Sequence, residues 1–134
     1  MSSAIAYETW SGRMRRSCGH YYSRRGHGEQ QIWGHFDLHQ RFGLDMADIA
    51  CDIDRVERTR RGIRRDDAEH LFLLFQLAGQ TGMQHHGETL LLAPGECALL
   101  DSTVQAELRY GNHRSRFLSL HLPRAEILAG AERA

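Results

Sequence analysis

From residue 70 to residue 123 short apolar runs recur at roughly ten-residue spacing, most of them closed by a turn containing Gly or Pro. Runs this short suit strands better than helices, and the turns reverse the chain, so the pattern predicts a small antiparallel barrel or jelly roll. The longest run is HLFLLFQLAG, residues 70 to 79, apolar on both faces apart from His70 and Gln76. Gly79 and Gly82 follow, placed to bend the strand from one sheet into the next. His86-Gly87 predicts a hairpin turn, and Ala93-Pro94-Gly95-Glu96 a type II turn. Further strands are expected over Thr89 to Leu92, Cys97 to Leu100, Val104 to Tyr110 and Arg116 to Leu122, with a helix beginning after Pro123-Arg124.

The first half of the chain is less regular. Tyr7, Trp10, Met14 and Cys18 recur at helical spacing, which predicts an amphipathic helix over residues 4 to 18 with Ser2 or Ser3 as cap and Gly19 at its end. The stripe reads as a docking face against the rest of the domain. Tyr21 to Gln31 reads as a loop. Ala47, Ile49, Cys51 and Ile53 alternate with Asp48, Asp52 and Asp54, the mark of a half-buried strand. The arginine run from Val56 to Arg65 is expected to return antiparallel along it and pair with its carboxylates.

A chain of 134 residues buries about 68% of its unfolded surface and needs no disulfide or metal to hold a core. Its seventeen basic residues, all Arg, are balanced by seventeen acidic ones, so the net charge of zero offers nothing to steer it toward nucleic acid or anionic membrane. Cys18, Cys51 and Cys97 lack the spacing of a zinc ribbon or a disulfide framework, which fits a reducing, cytoplasmic setting. The apolar run Leu71 to Phe75 is far below the ~18 residues that span a bilayer.

Few motifs carry chemistry. His35 and His39 share a face if helical but stand too far apart for one metal ion if the segment is a strand, and no HExxH glutamate accompanies them. His85 and His86, being adjacent, are expected on opposite faces. No phosphate-cradling glycine motif occurs. On the central strand, His70, Phe72, Leu74 and Gln76 share one face, where the polar pair serves either a small-molecule pocket or neighbouring backbone.

The stretches DRVERTRRGIRRDD, HLFLLFQLAGQTGMQHHGETLLLAPGECALLDS, AELRY and SLHLPR, in that order, resemble the N-terminal effector-binding domain of AraC-type transcriptional regulators. The matching elements are Val56 with Arg58-Thr59, Asp66-Asp67, Gln76 with Gly79, Gln84 followed by Gly87, Leu92 with Pro94-Gly95, Leu99 with Asp101-Ser102, and Leu122-Pro123-Arg124, across roughly residues 47 to 129. The N-terminal helix and Cys18-Gly19 are also similar to the subgroup that regulates aromatic amine catabolism.

The resemblance implies a mainly β fold, a cupin-like jelly-roll barrel with an N-terminal helix and a truncated C-terminal helix. The chain is expected to be one domain over residues 1–134, with helix in 1–20, barrel in 34–123 and the start of a helical region in 124–134. The implied function is effector sensing and dimerisation without enzymatic activity or cofactor, in a homodimer that reaches DNA only through a C-terminal helix-turn-helix domain missing from this chain. The expected effector site is the barrel interior, with His70, Gln76 and Arg58 as hydrogen-bonding groups and Phe72, Tyr110 and Trp33 as wall. A metal-dependent cupin oxygenase or isomerase is the alternative function, although the HxH plus Glu set of metal-binding cupins is absent from the sequence. A purely structural dimerisation module with an empty barrel is the third.

Overall fold

The computed structural model describes residues 4–26, 28–66 and 69–133. Ser2 and Ser3, expected as helix caps, and Asp67 of the acidic pair lie outside the described residues. In chain order the elements are β1 (Ala4–Ala6), α1 (Tyr7–Cys18), β2 (Tyr22–Arg24), β3 (Gln31–Trp33), β4 (His35–Arg41), β5 (Leu44–Cys51), β6 (Arg55–Arg58) and α2 (Arg60–Arg65). There follow β7 (His70–Ala78), β8 (Thr81–His85), β9 (Glu88–Leu92), β10 (Cys97–Asp101), β11 (Ala106–Arg109), β12 (Ser115–Pro123) and α3 (Arg124–Arg133).

Two antiparallel five-stranded sheets, β10-β7-β12-β5-β4 and β2-β6-β11-β8-β9, face each other, and β1 pairs with β3 in a small ribbon beside them. The expected jelly-roll architecture is therefore the observed one. The chain crosses between sheets after β7, at Gly79. There φ is +70° and a Cβ would stand 2.1 Å from the Arg114 carbonyl oxygen, so both conformation and space exclude a larger residue. His86 and Gly87 both take positive φ, 54° and 73°, as a two-residue hairpin between β8 and β9 requires.

The central strand has the expected orientation. Phe72, Leu74 and Gln76 point inward and are buried, while Phe75 and Leu77 on the other face are 40% and 42% exposed. Across from them on β12, Phe117, Ser119 and His121 point into the same core. Period two works here because one face meets the opposite sheet and the other does not.

Three local expectations are corrected. The helix begins at Tyr7, because Ala4–Ala6 pair with Gln31–Trp33 as a ribbon. The segment 21–31 contains β2 and the start of β3, and β2 is an edge strand of the second sheet, which carries sheet structure ahead of residue 34. The arginine run does not pair with the Asp-bearing strand. β5 is taken on both sides by β4 and β12, while Arg55–Arg58 cross to the other sheet as β6 and Arg60–Arg65 coil into α2. Thr59 explains the change from strand to helix, since its hydroxyl accepts from the Gly62 amide and caps α2.

α1 lies over the barrel on its apolar stripe. Trp10, Met14 and Cys18 are buried, and the Trp10 indole donates to the Ala50 carbonyl at 3.1 Å and meets Phe36 edge-on at 6.1 Å. Arg13 adds a bond to the Phe36 carbonyl at 3.0 Å.

Candidate functional site

The two sheets and α1 enclose a cavity of about 30 Å³. Its wall is mostly apolar. Met14 and Cys18 come from α1, Phe72 and Leu74 from β7, Phe117 and Ser119 from β12, and Ile49, Val56, Leu100 and Leu108 from other strands; Tyr21 and Tyr110 complete it from just outside β2 and β11. A space this small holds a water or two, whereas an apolar cavity needs about 150 Å³ to take a benzene ring. Admitting a ring-sized molecule therefore requires the wall to move, and unbranched Met14 is its most adaptable member.

Buried polar groups around the cavity fall into two kinds. Gln76 is closed: its amide nitrogen donates to the Ala78 carbonyl and the Ser115 hydroxyl, both at 2.8 Å, and its oxygen accepts from Thr81 at 2.8 Å. Arg58 is closed too. Its guanidinium meets both Asp66 carboxylate oxygens, at 2.7 and 2.9 Å, and donates to the carbonyls of Ser102 and His20. Burial works against the Arg58 charge, and the Asp66 carboxylate more than offsets it, so the guanidinium is held charged.

Tyr21 and Tyr110 are of the other kind. Each is buried, and neither hydroxyl has a hydrogen-bond partner among the described residues. Their rings are nonetheless pinned, Tyr21 edge-on to Phe72 at 6.1 Å and 5.0 Å from the Arg58 guanidinium carbon, Tyr110 stacked on Phe117 at 5.8 Å. Burial pushes both phenols well above their ordinary range, so they stay protonated. At one end, His121 Nε2 lies 3.9 Å from Cys18 Sγ. Burial first and neighbouring His70 second hold His121 down to about 4, and burial pushes the Cys18 thiol up to about 12, so both are neutral at pH 7.

The six expected site residues separate on this geometry. Phe72 and Tyr110 line the cavity. Arg58 and Gln76 are buried in the barrel but already bonded, and His70 stacks on Phe72 at 5.4 Å with its Nδ1 unpartnered, without bordering the cavity. Trp33 belongs to the β1–β3 ribbon, under the Arg114 guanidinium, away from the wall. Sequence reasoning missed Met14, Cys18 and Tyr21, assigning the first two to docking and the third to a loop. The signal was present, since the stripe of Tyr7, Trp10, Met14 and Cys18 continues to Tyr21 at a spacing of three.

Elsewhere the chemistry is sparse. A hollow of about 530 Å³ on the outer face of the second sheet is an open groove whose lining includes Glu57, Gln84, His85, Glu88 and Glu107, and Arg55 bridges Glu57 and Glu107. His85 and His86 do not point apart as expected. His86 sits in the hairpin turn at positive φ, which brings the rings to 4.2 Å. His35 lies on a strand, bonded to Asp48 at 2.8 Å. Among the described residues no group of three or more His, Cys, Asp or Glu is placed to hold a metal ion, and no helix is long and apolar enough to cross a membrane.

Comparison with known proteins adds the following. The model of a family described as the AraC-binding-like domain matches residues 10–134. The crystal structure of the AraC-like transcriptional activator CuxR superposes with a TM-score of 0.76 at 12% identity, over 96% of this chain and 49% of that one, so the chain spans about half its length. The EutQ protein of Clostridium difficile superposes at 0.52, with 9% identity over 76% of this chain and 77% of that one. A cupin superfamily protein from Desulfitobacterium hafniense does so at 0.50, with 16% identity over 72% and 81%. These likenesses confirm the cupin-type barrel.

Proposed function

Because the chain belongs to the AraC-binding-like domain family, we propose that it is the effector-sensing and dimerisation domain of a cytoplasmic transcriptional regulator, and that a small organic effector binds inside the barrel. The observation that carries this reading is the enclosed apolar cavity, walled by both sheets and by α1. Its lining, mostly apolar with a few polar groups, has the composition of small-molecule sites, which reach about 300 Å³ or more, so occupancy requires the wall to yield. In this reading Phe72 and Tyr110 are wall residues and His70, stacked on Phe72 with its Nδ1 unpartnered among the described residues, is a hydrogen-bonding group for a ligand that enlarges the cavity, whereas Arg58 and Gln76 shape the barrel through the bonds they already make.

A sensing role is the reading the family membership supports. Among the described residues, those lining the cavity are mostly apolar, and burial keeps the Cys18 thiol protonated. Its output passes to DNA through a helix-turn-helix domain outside this chain, within a homodimer. Coupling follows if the effector prefers the arrangement in which α1 has yielded, since a ligand shifts an equilibrium only by its differential affinity for the two states. The test is a thermal-shift screen of small organic compounds. We expect a saturable rise in melting temperature, reaching about 2.7 kcal/mol of added stability at a hundred times Kd. Ser119→Val, which fills the cavity, should abolish the response; an undiminished response in that variant refutes the barrel as the site.

A further inference from the structure

The polar groups of the residues that line the cavity define what it can recognise once its wall opens, an inference that rests on the barrel being the effector site. Among the described residues, the side chains that border it include no carboxylate and no free cation. The nearby charge on Arg58 is matched by Asp66 through two bonds, while His121 and Cys18 are neutral at pH 7. A charged ligand would therefore leave water without finding a counter-charge, which is costly in a low-dielectric interior. What remains available, beside the Ser119 hydroxyl, is the pair of phenol hydroxyls of Tyr21 and Tyr110, buried, protonated, fixed by ring contacts and without hydrogen-bond partners among the described residues.

A phenol is a better proton donor than acceptor, so the complementary ligand atom is an acceptor. The surrounding rings of Tyr21, Phe72, Tyr110 and Phe117 suit a flat or ring-shaped body. We infer that the effector of this barrel is an uncharged, mainly apolar molecule of ring size that presents a hydrogen-bond acceptor to the hydroxyls of Tyr21 and Tyr110. Met14 is the wall that gives way to admit it.

Four probes of similar size separate the terms: acetophenone with an acceptor, ethylbenzene without one, benzoate and benzylammonium with charge. Dissociation constants are measured by calorimetry and thermal shift at pH 7 on the wild-type chain and on Met14→Ala, which enlarges the cavity and allows the preference to be read even where the wild-type wall resists. Acetophenone is expected to bind about tenfold or more tighter than the other three. Tyr21→Phe and Tyr110→Phe, alone and in the Met14→Ala background, should each weaken acetophenone about tenfold while leaving ethylbenzene unchanged. Benzoate or benzylammonium binding as tightly as acetophenone, with the response lost on Ser119→Val, overturns this inference and leaves the barrel reading standing. So does acetophenone affinity that is indifferent to both Tyr→Phe changes. Failure of every probe on both proteins overturns this inference, and the barrel reading itself falls if the wider compound screen is silent as well.

Discussion

Gln76 and Tyr110 are both buried polar side chains in one barrel, yet the first has its amide nitrogen and oxygen bonded and the second has a hydroxyl with no partner among the described residues. The Arg58–Asp66 pair belongs with Gln76, and Tyr21 with Tyr110. The contrast separates polar groups that hold the barrel from polar groups left over for something else. A closed group is expensive to remove because its partners are stranded, whereas an open one costs nothing further when deleted.

The largest effect is expected at Asp66. Asp66→Asn leaves Arg58, whose side chain is 1% exposed, charged and unmatched, and breaking a buried pair from one side costs about 3 to 5 kcal/mol. Replacing both, with Arg58→Met and Asp66→Leu, should recover most of that loss, because neither charge then remains in the interior. Urea denaturation of the three variants checks it. A loss below about 1 kcal/mol for Asp66→Asn would move this pair out of the closed class.

His121 lies between the classes, since it tolerates burial by staying neutral beside His70, Cys18 and Phe72. With its pKa held to about 4 against about 6.5 in an unfolded chain, the unfolded state takes up a proton between those values that the folded state refuses. Stability then falls as pH falls through that window, by about 3 kcal/mol in total, and this contribution levels off below pH 4. Denaturation at pH 7.5 and 4.5 should show the slope in the wild type and a much flatter one in His121→Leu. An equal slope in both would assign the acid sensitivity in this window to groups other than His121.

Gln76→Leu is expected to cost less, about 2 kcal/mol, because it strands the hydroxyls of Thr81 and Ser115, which still face each other at 3.2 Å. The same variant with Thr81→Val and Ser115→Ala should regain part of the loss. No recovery would mean that packing rather than hydrogen bonding sets the value of this network.

What the sequence disclosed follows the range of the interactions concerned. The alternation along His70–Ala78, the His86-Gly87 hairpin and the Pro94-Gly95 turn depend on neighbours within a few residues, and the structure has all three. The pairing of the arginine run depended on which distant strand lies alongside, and nothing local showed that β12 already occupies that side of β5. The same limit applies to the polar site candidates. Arg58 and Gln76 looked available because their partners, Asp66 with Ser102 and Thr81 with Ser115, are brought to them by the fold. Tyr21 was hidden by the polar, glycine-rich segment that follows it, although it continues the stripe of α1.

The smallest effect is the most discriminating. Tyr110→Phe removes one oxygen, keeps the ring stacked on Phe117, and strands no partner among the described residues. Two readings of that hydroxyl give different numbers. If a protein group or a tightly held water satisfied it, the deletion would resemble Gln76→Leu and cost about 1 to 3 kcal/mol. If it is open, the folded state sheds an unsatisfied donor, and stability in the absence of ligand should stay within about 0.5 kcal/mol of the wild type or rise slightly. Chemical denaturation resolves the difference, and Tyr21→Phe should behave alike. A loss above about 1 kcal/mol would place Tyr110 among the closed groups and remove the main argument for its donating to a ligand. Unchanged stability together with weakened acetophenone binding is the combination that only an open, ligand-facing hydroxyl produces.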